Sequence, residues 1–239
     1  TVVNKIGSAE YPSTHTTPDP LELNRLLSEM AESNCTYCFM EVSSHGIDQD
    51  RIHGLHFRGG IFTNITHDHL DYHGDFMTYL QTKKRFFNQL SADSFALVNN
   101  DDRNGDVMLQ NFRGQAYRYS IHNIYTDFGC KIVEKSLDGM QLRINNHDVW
   151  IRLAGDFNAY NMLAVFGTCL LLGFQEEEVL KILLIKRDFK PSKGKWSLMG
   201  GFLKTNETID DAATRVLCTL TGLQEVYMEQ LSVFSEVDR

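Results

Sequence analysis

The chain has 239 residues, 42% of them hydrophobic and 23% charged, with a formal net charge of −8. That length accommodates one large or two small globular domains. The acidic balance argues against a general nucleic-acid or membrane-surface binder, while a local site for an anion remains compatible with it. No apolar run reaches membrane-spanning length, and residues 1–20 lack the basic-then-apolar layout of a signal peptide, so no membrane partner and no direct nucleic-acid binding is expected.

The five cysteines are scattered, and Cys35 and Cys38 form the one close pair, without the second pair that a zinc site needs. The pair runs into the strand-like "YCFMEV", and its members read as plain buried cysteines of a reducing, cytoplasmic compartment. The chain opens on Thr1 and closes on "SEVDR" just after an apolar stretch, which reads as a sequence cut at both ends.

In chain order, "TTPDPLELNRLLSEMAES" predicts a helix: Asp19 can cap, Pro20 suits the first helical position, and Leu23, Leu26, Leu27 and Met30 recur at helical spacing. "YCFMEVSSHG" predicts a strand running into small polar residues, and "GGIFTNITHDH" repeats that design. A helix through Phe76, Tyr79, Leu80, Phe86 and Phe87 precedes a third strand, "SFALVNNDD". Strands alternating with helices predict an α/β fold with a mostly parallel sheet flanked by helices, and such sheets bind ligands beyond the carboxyl ends of their strands. The three strand-end loops, 41–45, 66–73 and 99–102, are where polar residues gather.

From Cys130 to Leu153 the turn signals Asp138-Gly139 and Asn145-Asn146 predict a small antiparallel meander. "NAYNMLAVFGTCLLLGF" reads as a buried helix closed by Gly173. Near Leu180 a helical start, "EEEVL", then passes into the β-rich "KILLIKR" without Gly, Pro or Asn between. Domain boundaries normally carry an exposed polar linker, so this switch suggests a seam: residues 1–180 as one domain and 181–239 as a second, partial one.

Glu41, His69 and Lys83 form the first chemical constellation. A carboxylate and an imidazole at neighbouring strand ends can hold a divalent ion, but an ammonium beside them repels it unless the lysine is modified or binds phosphate. "HDHLDYH" is rich in histidine yet lacks the i, i+4 pairing of a helical zinc site.

The motifs "STHTTPDPLELNRLL", "MEVSSHGIDQDRIHGL", "FTNITHDHLDYHGDF", "KKRFF" and "VNNDD" together resemble the central domain of the Mur ligase family, in the branch that adds the third amino acid of the peptidoglycan stem peptide. The resemblance covers residues 1–180. It implies an ATP-dependent, ADP-forming acid–amino-acid ligase that takes UDP-MurNAc-dipeptide and a diamino acid, either diaminopimelate or lysine. A carboxylate is phosphorylated to an acyl phosphate, which the incoming amine attacks. It also implies Mg2+ ligands at Glu41 and His69, a carbamylated lysine at Lys83, and contacts to the UDP-sugar dipeptide from Thr16, Thr17, Ser43, Gln49 and Arg51. Asn158 and Asn161 of "FNAYN" resemble the family's adenine-side asparagines, and helix capping and packing would equally account for them.

This chain departs from the family pattern. It contains no Gly-x-x-x-x-Gly-Lys-[Ser/Thr] phosphate loop, and the family's amino-acid-selecting Asp-Asn-Pro-Arg motif is missing too. Such a chain is expected to be inactive alone. After Leu180 the sequence resembles a partial α+β Nudix domain: Gly201, Glu207, Arg215 and Gly222 keep the frame, while Val216, Thr219 and Leu220 stand where metal-binding glutamates would be, so this remnant is expected to be non-catalytic. The alternatives for the whole are a catalytically dead, ligand-sensing Nudix-type regulator fragment, or a chimera of two genes without integrated function.

Overall fold

A computed structural model of the chain describes residues 3–7, 9–66, 70–136, 139–145, 147–153, 155–176, 178–179, 185–186 and 196–197. A two-stranded hairpin comes first, β1 (Val3–Ile6) antiparallel to β2 (Ala9–Pro12) across a left-handed Gly7. Helix α1 (Pro20–Glu32) starts as its sequence dictates: the Asp19 carboxylate accepts the Leu21 and Glu22 backbone N–H groups at 3.0 and 3.1 Å, and Leu23 and Leu26 are buried.

The following run corrects the sequence reading. The run "YCFMEV", residues 37–42, expected as a strand, joins no ladder among the described residues, and α2 (Ser44–Asp48) follows closely. An apolar β-prone run becomes a strand only beside a free edge that accepts its backbone groups. Phe39 is therefore 67% exposed, and Cys35 and Cys38 are exposed rather than buried.

The main sheet runs β3 (Gly59–Phe62), β4 (Phe95–Asn99), β5 (Gln115–Ser120) and β6 (Phe128–Ser136) in parallel. It continues antiparallel through β7 (Gly139–Ile144) and β8 (His147–Ile151), the expected meander. Strand β5 was not foreseen from "QAYRYS". The turns use Gly139 and Asn145 at positive φ. Two short strands, β9 (Ile185–Lys186) and β10 (Trp196–Ser197), extend this sheet, with Trp196 in parallel register with Val149. These four residues, from beyond the proposed seam, thus join the sheet at β8. The Nudix-frame residues Gly201, Glu207, Arg215 and Gly222 lie outside the described residues, as does His69.

Strand β4 is buried along its length because both faces are covered, as parallel sheets require. Its side chains alternate between two cores. Phe95 and Leu97 join Tyr119, Leu142 and Leu163 under α6 (Asp156–Leu171). Ala96 and Val98 join Tyr79, Phe87 and Met108, from α4 (Phe76–Gln89) and α5 (Gly105–Leu109), on the other face. A short helix, α3 (Leu70–His73), precedes α4. No helix among the described residues is long and apolar enough to cross a membrane.

Candidate functional site

Residues 41–51 fold into a hydrogen-bonded knot around α2. The Thr17 side chain is buried; its hydroxyl donates to the Glu41 carbonyl (2.9 Å), accepts the Ser43 backbone N–H (2.9 Å) and lies 3.2 Å from Ser43 Oγ. Ser43 Oγ in turn caps α2 by accepting the Gly46 N–H at 3.0 Å. A Cβ on Gly46 would lie 2.8 Å from Thr17 Cβ, so the close approach of loop and helix needs glycine there.

Arg51 closes the knot. Its Nη1 donates to the Thr17 carbonyl at 2.6 Å, and its Nε and Nη2 donate to Gln49 Oε1 at 3.0 and 2.6 Å. Those bonds use three of the five guanidinium N–H groups, which leaves two for an anion. Thr17, Ser43, Gln49 and Arg51 are therefore brought together, with Thr16 half-buried at the edge. The Thr17 hydroxyl is already engaged inside the knot.

Helix α4 separates its two adjacent lysines. Lys84 is buried and donates to Asn88 Oδ1 at 2.9 Å and to the Gln110 carbonyl just past α5. Lys83 is half-buried, with its ammonium 5.2 Å above the Tyr79 ring. Burial pushes the Lys83 pKa below the ordinary lysine value, and the opposing charge of Glu41 pulls it part of the way back. The same shift places the exposed Glu41 carboxylate within electrostatic reach of Lys83. Burial likewise lowers the pKa of Lys84, so what sets Lys83 apart is its position near Glu41.

Buried His73 stacks on the other end of this group, 5.2 Å from the Tyr79 ring, with Nε2 2.9 Å from Ser44 Oγ. Among the described residues no group of three His, Cys, Asp or Glu side chains is arranged to hold a metal.

A cleft of about 680 Å³ opens at the carboxyl ends of β3 and β4 and the first turn of α6, where the α/β pattern places ligands. Asn64, Thr66 and Arg103 line it on the strand side, and Phe157, Tyr160 and Asn161 on the helix side. The spacing i, i+3, i+4 puts those three on one face of α6. Phe157 is 66% exposed at the rim. The α6 N-terminus has no side-chain cap and starts at Gly155 with φ 90°. Of the two asparagines singled out from sequence, Asn161 lines the cleft; Asn158 is half-buried and is not among the lining residues.

The strand-end loop 99–102 expected from sequence lines the cleft, but sequence reasoning gives Asp101 no individual role and misses Phe157 and Tyr160, for which the helical spacing with Asn161 is the available signal. Asp101 accepts Ser120 Oγ (2.6 Å), the Ile121 and His122 N–H groups (2.9 and 3.3 Å) and the Tyr160 hydroxyl (3.0 Å). Burial pushes its pKa up, but the bonds from Ser120, Ile121 and Tyr160 outweigh that and hold the carboxyl below its usual value.

The Mur ligase middle domain matches residues 1–169. A UDP-N-acetylmuramoyl-L-alanyl-D-glutamate–2,6-diaminopimelate ligase of Bacteroides thetaiotaomicron is 45% identical over 230 residues, 94% of this chain and 47% of that protein. The enzyme of the same name from Bacteroides fragilis is 52% identical over 183 residues, 77% of this chain and 38% of that protein. The chain thus spans about half the length, or less, of these curated relatives. A solved structure of a ligase with that name is similar at a TM-score of 0.63 and 27% identity, covering 72% of this chain and 37% of that one. A match over 94% of the chain necessarily runs past Leu180, into the segment read from sequence as Nudix-like, and none of these relatives is a Nudix protein.

Proposed function

Because the chain belongs to the Mur ligase family through its middle domain, we propose that it forms the central part of an ATP-dependent ligase joining 2,6-diaminopimelate to UDP-N-acetylmuramoyl-L-alanyl-D-glutamate. The observation that carries this reading is the 45% identity over nearly the whole chain to a ligase of that name.

Each part of the molecule has a place in that chemistry. Arg51, held by Thr17 and Gln49, presents its remaining N–H groups to the anionic sugar-nucleotide substrate, with Thr16 and Ser43 beside it. Glu41, His69 and Lys83 as a carbamate make an oxygen-rich donor set suited to Mg2+, which supplies charge neutralisation between the polyanionic reactants. The α6 face holds the base end of ATP: Asn161 offers an amide to the base edge, and exposed Phe157 offers a ring face. ATP supplies the phosphoryl group; no phosphate-loop motif occurs in this sequence, so the part of ATP that these residues address is its base end.

For residues 181–239 a second reading stands as a separate proposal, a Nudix-like segment joined near Leu180. It rests on the frame kept by Gly201, Glu207, Arg215 and Gly222, and the match of 94% of the chain to a ligase stands against it. A genomic read across the codons for 175–190 separates the two: continuous ligase coding sequence in independent isolates removes the fusion.

Calorimetric titration with UDP-N-acetylmuramoyl-L-alanyl-D-glutamate tests the main reading. Binding that Arg51→Ala weakens at least about tenfold is expected for loss of a charge-assisted contact. No binding by the unmodified chain overturns the substrate assignment.

A further inference from the structure

The two adjacent carboxylates of "VNNDD" point to opposite walls of the cleft. Asp102 reaches the strand wall, accepting the Ile65 backbone N–H at 3.1 Å and the Asn104 N–H at 2.8 Å. Asp101 reaches the other way, to the end of β5 and, through the Tyr160 hydroxyl at 3.0 Å, to α6. Asn99 completes the floor: its Nδ2 donates to the Thr63 carbonyl at 2.9 Å and its Oδ1 accepts the Asp101 N–H at 3.0 Å. The wall carrying Asn64 and the wall carrying Phe157 and Asn161 are therefore joined through two consecutive residues.

We propose that the Tyr160–Asp101 hydrogen bond is a positioning latch that sets how far the Phe157–Asn161 face of α6 stands from the strand-end wall, and hence how tightly the cleft grips a nucleotide base. The proposal rests on the nucleotide reading of the cleft. Tyr160 bonds from that face of α6 to the floor, and its partner is fixed by three further donors from β5 and the loop after it. A carboxylate so held cannot follow α6 if the helix drifts, so the phenol hydroxyl determines the gap. Asp101 and Tyr160 act through the wall they place.

The test is ATP binding by the whole chain, followed by NMR shift titration to millimolar ATP, alongside the unliganded melting temperature and the affinity for UDP-N-acetylmuramoyl-dipeptide. Tyr160→Phe removes only the hydroxyl. Asp101→Asn keeps an oxygen that can face Tyr160, and sets its amide against Ser120 Oγ, which already accepts the His122 and Asn123 N–H groups at 3.0 and 2.7 Å, so its cost falls at the β5 end rather than on the bond to Tyr160. The latch requires Tyr160→Phe to weaken ATP at least about fivefold, the equivalent of one hydrogen bond. It also requires Asp101→Asn to weaken ATP less than Tyr160→Phe does, and the sugar-nucleotide affinity to stay unchanged. Equal ATP affinity in Tyr160→Phe and the parent chain overturns the latch while leaving the nucleotide reading intact. Loss of ATP affinity only in step with loss of fold assigns the bond to stability and also overturns it. Absence of ATP binding in the parent chain overturns the nucleotide reading itself.

Discussion

Lys83 and Lys84 are neighbours on α4 that face opposite environments. Lys84 is buried against the Asn88 side chain and the Gln110 carbonyl, while Lys83 stands over Tyr79 in the field of Glu41. One helical step of about 100° separates a lysine that fastens α4 to the end of α5 from one that faces the proposed metal site. Replacing Lys84 by Met should therefore cost about 1–3 kcal/mol, because the Gln110 carbonyl and Asn88 lose a buried donor. Lys83→Met should change stability by less than about 0.5 kcal/mol, since a half-buried methylene stem replaces an amine that burial disfavours. Urea denaturation of both variants checks this, and equal losses would contradict the division of roles.

Carbamylation follows the same division. In ¹³C-bicarbonate the chain should give one carbamate carbon signal, retained in Lys84→Met and absent in Lys83→Met. The signal should grow as pH rises, because the neutral amine is the reacting form. It should also grow at a lower pH than a solvated lysine allows, since burial holds the folded pKa of Lys83 below 10.5. A carbamate that survives Lys83→Met would remove that residue from the proposed metal site.

The knot around α2 makes a packing prediction. Gly46→Ala drives a methyl to 2.8 Å from Thr17 Cβ and 2.9 Å from its Cγ2, both part of a buried side chain with little room to move. Overpacking of this kind costs about 1–3 kcal/mol. Thr17→Val keeps the volume but strands the Ser43 N–H and the Glu41 carbonyl, at a similar cost of about 1–3 kcal/mol. Because both changes displace the loop carrying Ser43 and, through the Thr17 carbonyl, Arg51, each should also weaken UDP-N-acetylmuramoyl-dipeptide binding. Calorimetry beside a thermal melt reads both effects.

Much of this architecture is legible in the sequence, and the failures have physical causes. Asp19, Pro20 and the leucine spacing specify α1 through local capping and periodicity, and Gly139 and Asn145 mark the meander turns because few other residues adopt positive φ. The run "YCFMEV" around Cys38 misled because β-propensity describes a willingness to pair, whereas pairing needs an edge supplied by another segment. The site behaves likewise. Arg51 and Lys83 stand out by charge, but their partners Thr17 and Glu41 lie 34 residues away for Arg51 and beyond local pattern for Lys83. Asp101 and Tyr160 are 59 residues apart and meet only because β4 and α6 pack across the sheet. Composition and spacing carry no signal for such a contact.

Asp101 gives the clearest pH dependence. Its carboxyl sits below the ordinary value of 3.8 when folded, held there by Ser120, Ile121 and Tyr160 against the upward push of burial. A carboxyl whose folded pKa is depressed stabilises the fold fully above the unfolded pKa, and that contribution disappears as pH falls through the folded pKa. Asp101→Asn has no such titration. At pH 7 the parent chain should be more stable than Asp101→Asn by about 1–2 kcal/mol, after allowing for the partial exposure of this carboxylate. The gap should then narrow steadily as pH falls below the ordinary carboxylate value of 3.8 and through the lower folded pKa, where the parent's own Asp101 becomes neutral. Urea titrations at intervals across that range measure the gap directly. A difference that stays constant with pH would mean that the charge on Asp101 adds nothing to its bonds, and that shape alone fastens α6 to the strand ends.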